Sequence, residues 1–179
     1  MSAVITAGTW NIDPTHTEVG FTVRHLMSKV RGKFEKVEGV IVTSEDVTAS
    51  SVNVSIDLSS INTGTEDRDA HLRSGDFFNV ESHPTMTFAS TGVVEKGDNE
   101  FVVTGDLTIK DVTKSVELAV DFLGEGGDPW GGTRVGIEAS TTISRKEFGI
   151  DFNIPVGGDT VMIGDKIAIS IVAEAVLQA

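Results

Sequence analysis

The chain has 179 residues, 39% of them hydrophobic and 23% charged, with a formal net charge of −13 and no cysteine. That is room for one all-β domain of barrel size over residues 1–179, at an ordinary globular composition. The 14 basic residues are scattered among 27 acidic ones, which disfavours nucleic acid and an anionic membrane surface alike, and the lack of cysteine removes disulfides, thiolate metal sites and thiol nucleophiles.

No run approaches the roughly 18 apolar residues of a membrane helix, so no membrane insertion is expected. The first residues, MSAVITAGTW, show neither a basic leader region nor a long apolar one, and the chain reads as cytoplasmic.

In chain order, residues 9–13 make a short strand ended by the turn dipeptide Asp13-Pro14. From Thr17, the residues Val19, Phe21 and Val23 alternate with Glu18, Thr22 and Arg24, a strand with one buried face. After a turn at Met27-Ser28-Lys29 the next strand runs from Val30 to Val42. Its apolar parity changes between Phe34 and Val37, as a β-bulge in a coiled, closed sheet would require.

Ser51 to Leu58 repeats the alternation with Val52, Val54, Ile56 and Leu58 inward. From Thr85 on, the strands succeed one another: Met86 and Phe88, then Leu107 and Ile109, then Leu118 and Val120, then Ile137 and Ala139, and last Ile169 and Ile171. A glycine-rich loop, 124–132, carries Trp130, and a longer aperiodic loop, 144–165, carries Phe148, Ile150 and Phe152. Loops of that length tend to be functional.

One stretch breaks the pattern. From Asn62 to Ser90 the chain crowds charge, histidine and aromatics, and a short helical segment around 67–80 is expected there, capped by Asp67 or Asp69, with Leu72 and Phe77 or Phe78 as its apolar side. On a β framework such an interruption covers an open end. Pro84 pushes His83 towards extended geometry, so a strand resumes.

About eight amphipathic strands joined by hairpins either close into a barrel or split into a sandwich, and periodicity alone fits both. The inward residues of the closing strands are small or β-branched, which favours a barrel with an unfilled apolar lumen. The candidate ligand contacts are Phe21, Val23, Phe34, Val54, Ile56, Leu72, Phe77, Phe78, Met86, Phe88, Leu107, Leu118, Ile137, Phe148 and Ile169. Candidates for a polar head group are Arg68, His71 and Arg73. At roughly 0.8 kcal/mol per buried methylene, a chain of about fifteen carbons gains on the order of 12 kcal/mol before association costs.

The segments WNIDPTHTEVGFTVRH, GKFEKVEG, RDAHLRSGDFF, HPTMTFAS, GDLTIKDVTKSVEL and ISRKEFGID, in this order, resemble the YceI-like family of bacterial proteins. The likeness rests on Asp13, Pro14, His16, Phe21, His25, Gly32 and Phe34, on Thr63, Arg68, Asp69, His71, Leu72, Arg73, Phe77, Phe78 and Pro84, and on Leu107, Thr108, Thr113, Arg145, Phe148 and Gly149. It implies an extended eight-stranded antiparallel lipocalin-like barrel holding an isoprenoid quinone precursor, another polyisoprenoid or a fatty amphiphile. It also implies a binding protein rather than a catalyst.

The rival chemistry is a metal- or lipid-dependent small-molecule enzyme or stress protein of the same fold. His16, His25, His71 and His83 match no compact ligand spacing, so no metal is expected. No serine sits in a nucleophile elbow and no glycine loop opens a helix, so no catalytic residue is assigned. Numerous edge and loop apolar side chains suggest a homodimer.

Overall fold

Where apolar and polar residues alternate, backbone hydrogen bonding follows them into antiparallel strands. The computed structural model describes residues 4–157 and 160–179. The strands are β1 (Gly8–Ile12), β2 (Glu18–His25), β3 (Ser28–Phe34), β4 (Val37–Thr43), β5 (Ser51–Asp57), β6 (Ile61–Asn62), β7 (Thr85–Gly97), β8 (Glu100–Ile109), β9 (Val112–Gly127), β10 (Thr133–Ser144), β11 (Pro155–Gly157), β12 (Thr160–Val161) and β13 (Ile163–Leu177). The α-helix α1 covers Glu66–Arg73. Strands β11 and β12 form a separate ribbon and the rest form one sheet.

The sheet closes through β13. One side of β13 pairs with β10, and the other pairs first with β2 and then, near its C-terminal end, with β1. β1 and β2 are therefore halves of one stave, interrupted at Asp13-Pro14, where the Asp13 carboxylate accepts the Thr15 N–H and proline offers no donor of its own. β3 and β4 are halves of a second stave, and β5 and β6 of a third, broken by the 3-10 turn Leu58–Ser60. Counted as staves, there are eight in a closed antiparallel barrel. Closure removes the free edges that a sandwich would leave, so the barrel reading holds and the sandwich alternative falls.

The expected parity change is present. Phe34 faces Ile61 and Val37 faces Ile56, and both are buried, while Glu35 and Lys36 between them are exposed. One end of the barrel is plugged by Trp10, fully buried with Ile41, Val135 and Ala175, its indole N–H donating to Thr43 Oγ1 at 2.9 Å.

Two local expectations are corrected. The first hairpin turns on the two residues Leu26-Met27, because His25 pairs directly with Ser28. The helical segment is shorter than 67–80: α1 ends at Arg73 and the chain continues in turns. Its N-cap is Thr65, not Asp67 or Asp69, and Thr65 makes no side-chain capping bond. Asp69 is instead buried and reaches back past the cap, where its carboxylate accepts the Thr63 backbone N–H at 2.8 Å and the Thr63 hydroxyl.

Candidate functional site

The inward side chains of β9 and β13 are only half-buried although they face the barrel interior: Val116, Leu118, Val120 and Phe122 on one, Ile167, Ile169 and Ile171 on the other. A close-packed core would bury them fully. Here the opposite wall is out of reach, and two apolar cavities of about 210 Å³ and 200 Å³ lie between. Val19, Met86 and Ile169 line both, so the cavities are stacked end to end. Lining positions on β13 run from Ile163 to Ala173, which at ~3.3 Å per residue and a strand tilt of ~40° gives roughly 25 Å along the barrel axis.

The first cavity receives Phe21, Val23, Phe34, Leu72, Phe77, Phe78 and Phe148 from the predicted contacts. Val54, Ile56, Phe88, Leu107, Leu118 and Ile137 line the second, and Met86 and Ile169 stand between. Phe21 fits because its cross-strand partner is Gly32: a Cβ there would lie 2.4 Å from the Phe21 ring. The rings continue inward from Phe21 to Phe34 at 5.7 Å and from Phe34 to Phe78 at 5.9 Å.

Charge is confined to one end. His25, Arg68, His71 and Arg145 line the first cavity, whereas the second has no titratable side chain in its wall. Arg68 donates from Nε to Thr63 Oγ1 and from Nη2 to Thr63 O, both at 2.7 Å. Its Nη1 has no partner among the described residues. Arg68 and Asp69 thus grip the same threonine from two sides, which holds the start of α1 against β6.

His71 bonds Asp76 at 2.9 Å and packs edge-on against Phe77 and Phe152, each at 5.1 Å, while Phe77 and Phe152 lie 5.2 Å apart. This three-ring cluster joins the helical segment to the loop after β10 and covers the cavity end. Arg73 departs from its sequence reading. It is absent from the cavity wall and donates to Ser59 O at 3.1 Å and to Glu66 at 3.4 Å, so it braces the helix from outside.

Residues that periodicity did not single out complete the wall. Arg145, 4% exposed, sends its guanidinium N–H groups to the carbonyls of Ile150, Phe152, Ile163 and Gly164 at 2.8–3.3 Å. Burial lowers its pKa, offset by Asp165 and Asp151. It pins the turn that presents Phe148, Ile150 and Phe152. The family likeness included Arg145 among its residues, but its role was not legible, since four converging carbonyls cannot be read from letters.

The four histidines are dispersed: His16 meets Asp13 at 2.8 Å, His83 lies 3.5 Å from Asp111, His71 meets Asp76, and His25 faces the first cavity. Among the described residues no three of His, Asp and Glu converge as a metal cage.

The profile of the YceI-like domain matches residues 10–175. The chain belongs to the YceI-like family. A UPF0312 protein of Ectopseudomonas mendocina is 41% identical to this YceI-like chain over 148 residues, covering 82% of it and 78% of the relative. Burkholderia cenocepacia BcnA superposes with a TM-score of 0.80 at 21% identity, covering 91% of this chain and 98% of that one. A polyisoprenoid binding domain from Saccharophagus degradans superposes with a TM-score of 0.70 at 16% identity, over 97% and 100% of the two chains. At those identities both structures speak for the fold alone.

Proposed function

We propose that this YceI-like protein carries or stores a long-chain amphiphile, a polyisoprenoid or a lipid of similar chemistry such as an isoprenoid quinone, without converting it. One observation carries the reading: an apolar double cavity roughly 25 Å long, by the strand geometry above, with cationic donors at one end only. That shape suits a hydrocarbon chain with one polar terminus and not a compact ring system. The tail would lie past Met86 and Ile169 into the second cavity. The head group would meet the unpartnered Nη1 of Arg68, with His25 and His71 nearby. The Saccharophagus degradans neighbour of the same fold is a polyisoprenoid binding domain, which is the ligand chemistry this reading adopts.

An apolar lumen is dry and non-directional, so burial supplies affinity while Arg68 supplies orientation. No group in the walls is arranged as a nucleophile with an adjacent base, which supports carriage over conversion. The test is organic extraction and mass spectrometry of protein purified from its own host, beside an Ile169→Trp variant. A long-chain amphiphile is expected in the wild type, and the bulkier ring between the cavities is expected to exclude it or select shorter chains. Repeated extraction of no amphiphile, with no uptake of added polyprenol, would overturn the reading.

A further inference from the structure

The net charge of −13 hides a local reversal. From Val19 to Phe34 the sequence holds four basic residues, Arg24, Lys29, Arg31 and Lys33, and no acidic one. These residues form the β2–β3 hairpin, whose inner face lines the first cavity. All four cations lie on its outer face and are exposed, with Arg24 beside Lys29 in register. Lys33 sits 3.7 Å from Glu18, but no carboxylate among the described residues pairs with Arg24, Lys29 or Arg31.

The tip of the same hairpin is apolar. Leu26 is half-exposed and Met27 fully exposed. Leu26 N–H donates to Met162 O at 2.8 Å and Met162 N–H to Ile154 O at 3.0 Å, so these three residues stand side by side across the rim, with exposed Ile154, Val156 and Val161 following. Ile154 and Met162 also line the cavity, so this collar surrounds the way in. The facing segment, from the turn after β10 to the start of β13, mixes both signs, Lys146 and Lys166 with Glu147, Asp151 and Asp165, and leaves the cationic excess on the hairpin.

We infer that this rim is a membrane-docking surface: Leu26, Met27 and the apolar collar dip into an anionic phospholipid bilayer while Arg24, Lys29 and Arg31 meet its phosphates. The spacing fits. Lys29 follows Met27 by two residues and Arg31 by four, about 7 Å and 13 Å up the strand. Interfacial elements bury their apolar parts roughly 5–10 Å deep, which sets the first of these cations at phosphate level. Of the nearer carboxylates Asp76 is paired with His71 and Asp165 with Ser144 and the Lys146 N–H, and acidic groups farther than about 10 Å from the hairpin are screened at ordinary ionic strength. An exposed apolar tip suits a protein partner or a membrane, but one joined to a lipid-sized cavity favours the bilayer, the source from which a long-chain amphiphile must be drawn.

The inference rests on the carriage reading for its purpose but not for its test. The intact protein is floated with vesicles of equal parts phosphatidylglycerol and phosphatidylcholine, and with phosphatidylcholine alone. Wild type is expected to float with the anionic vesicles at low salt and to be released at high salt. Met27→Asp, and separately the Lys29→Glu, Arg31→Glu pair, are expected to reduce binding by about tenfold or more. Both variants alter exposed residues, and unchanged uptake of a fluorescent long-chain fatty acid from aqueous dispersion would show that they are folded.

Failure of the wild type to float at low salt, or variants that float as well as it does, would overturn the inference. So would loss of a concentration-dependent homodimer in the variants without any vesicle binding, which would make the rim a subunit interface. Uptake that fails while flotation succeeds would remove the carriage reading and leave the docking surface standing.

Discussion

Two inward glycines make room for aromatic rings, and the difference between them is informative. A Cβ at Gly32 would meet the Phe21 ring tip at 2.4 Å and Thr63 Cγ2 at 2.8 Å, both side-chain atoms, and the Phe21 ring borders the first cavity and can swing into it. At Gly105 it would meet Phe88 Cζ at 2.4 Å and also the Ala89 carbonyl at 2.7 Å, which is backbone held in the sheet. Gly32→Ala is therefore expected to cost about 1 kcal/mol and Gly105→Ala about 2–3 kcal/mol, read by urea denaturation. Gly32→Ala should nevertheless reduce uptake of a long-chain probe, because it moves Phe21 into the lumen. Equal costs at the two sites would contradict this account. Arg145 makes a second case: Arg145→Met leaves four carbonyls of the wall turn without their donor and is expected to cost about 3 kcal/mol or more, with Arg145→Lys no better, since one ammonium cannot span them. Phe21 was legible from alternation, because parity alone decides which way a strand residue points. Arg145 was not, because its role depends on carbonyls from up to nineteen residues away.

At the level of elements, the strands and their faces follow from a period of two, and the broken second stave showed itself as the parity change between Phe34 and Val37. The helical interruption was visible as a loss of alternation, but its limits were not. Asp69 looked like a cap by residue type, yet Thr63 competes for its carboxylate and wins with two donors. Arg73 looked like a head-group ligand by its place beside His71, yet it points to Ser59 O on the outer side. Helical geometry separates neighbours in sequence onto different faces, so three polar residues within six positions need not share a site. That this segment covers an open end was expected, but the pairing of His71 and Phe77 with Phe152 was not legible, since it joins two segments about 75 residues apart. Phe152 is half-buried and Phe77 buried, so Phe152→Ala is the cleaner probe: release of a bound fluorescent fatty acid is expected to speed up severalfold with stability falling by only about 1–2 kcal/mol. Unchanged release would mean that the lipid does not leave past these rings.

Across the whole molecule, one polar junction sets how stability falls with pH. Asp13, at the break between β1 and β2, accepts Arg134 Nη1 at 2.7 Å as well as Thr15 and His16. Arg134 comes from β10, on the far side of β13, and its Nε also donates to Asp128 at 2.8 Å. The junction thus ties together three neighbouring staves at the closing seam. Its carboxyls respond accordingly: the Arg134 guanidinium, helped by Thr15 and His16, holds Asp13 far below the usual carboxylate range, and the Gly132 N–H with Arg134 lowers Asp128. A folded-state pKa below the unfolded one contributes stability that is complete above the unfolded value of about 3.9 and is lost as pH falls through the folded value. The urea midpoint is therefore expected to hold steady from pH 7 to 5 and to fall steeply below about pH 4. Asp13→Asn should lower stability at pH 7 and flatten the acid limb. Adding Arg134→Met to Asp13→Asn should cost less than Arg134→Met alone, because the two changes remove one shared interaction. Strictly additive costs, or an acid limb as steep without Asp13 as with it, would show that the seam is held elsewhere.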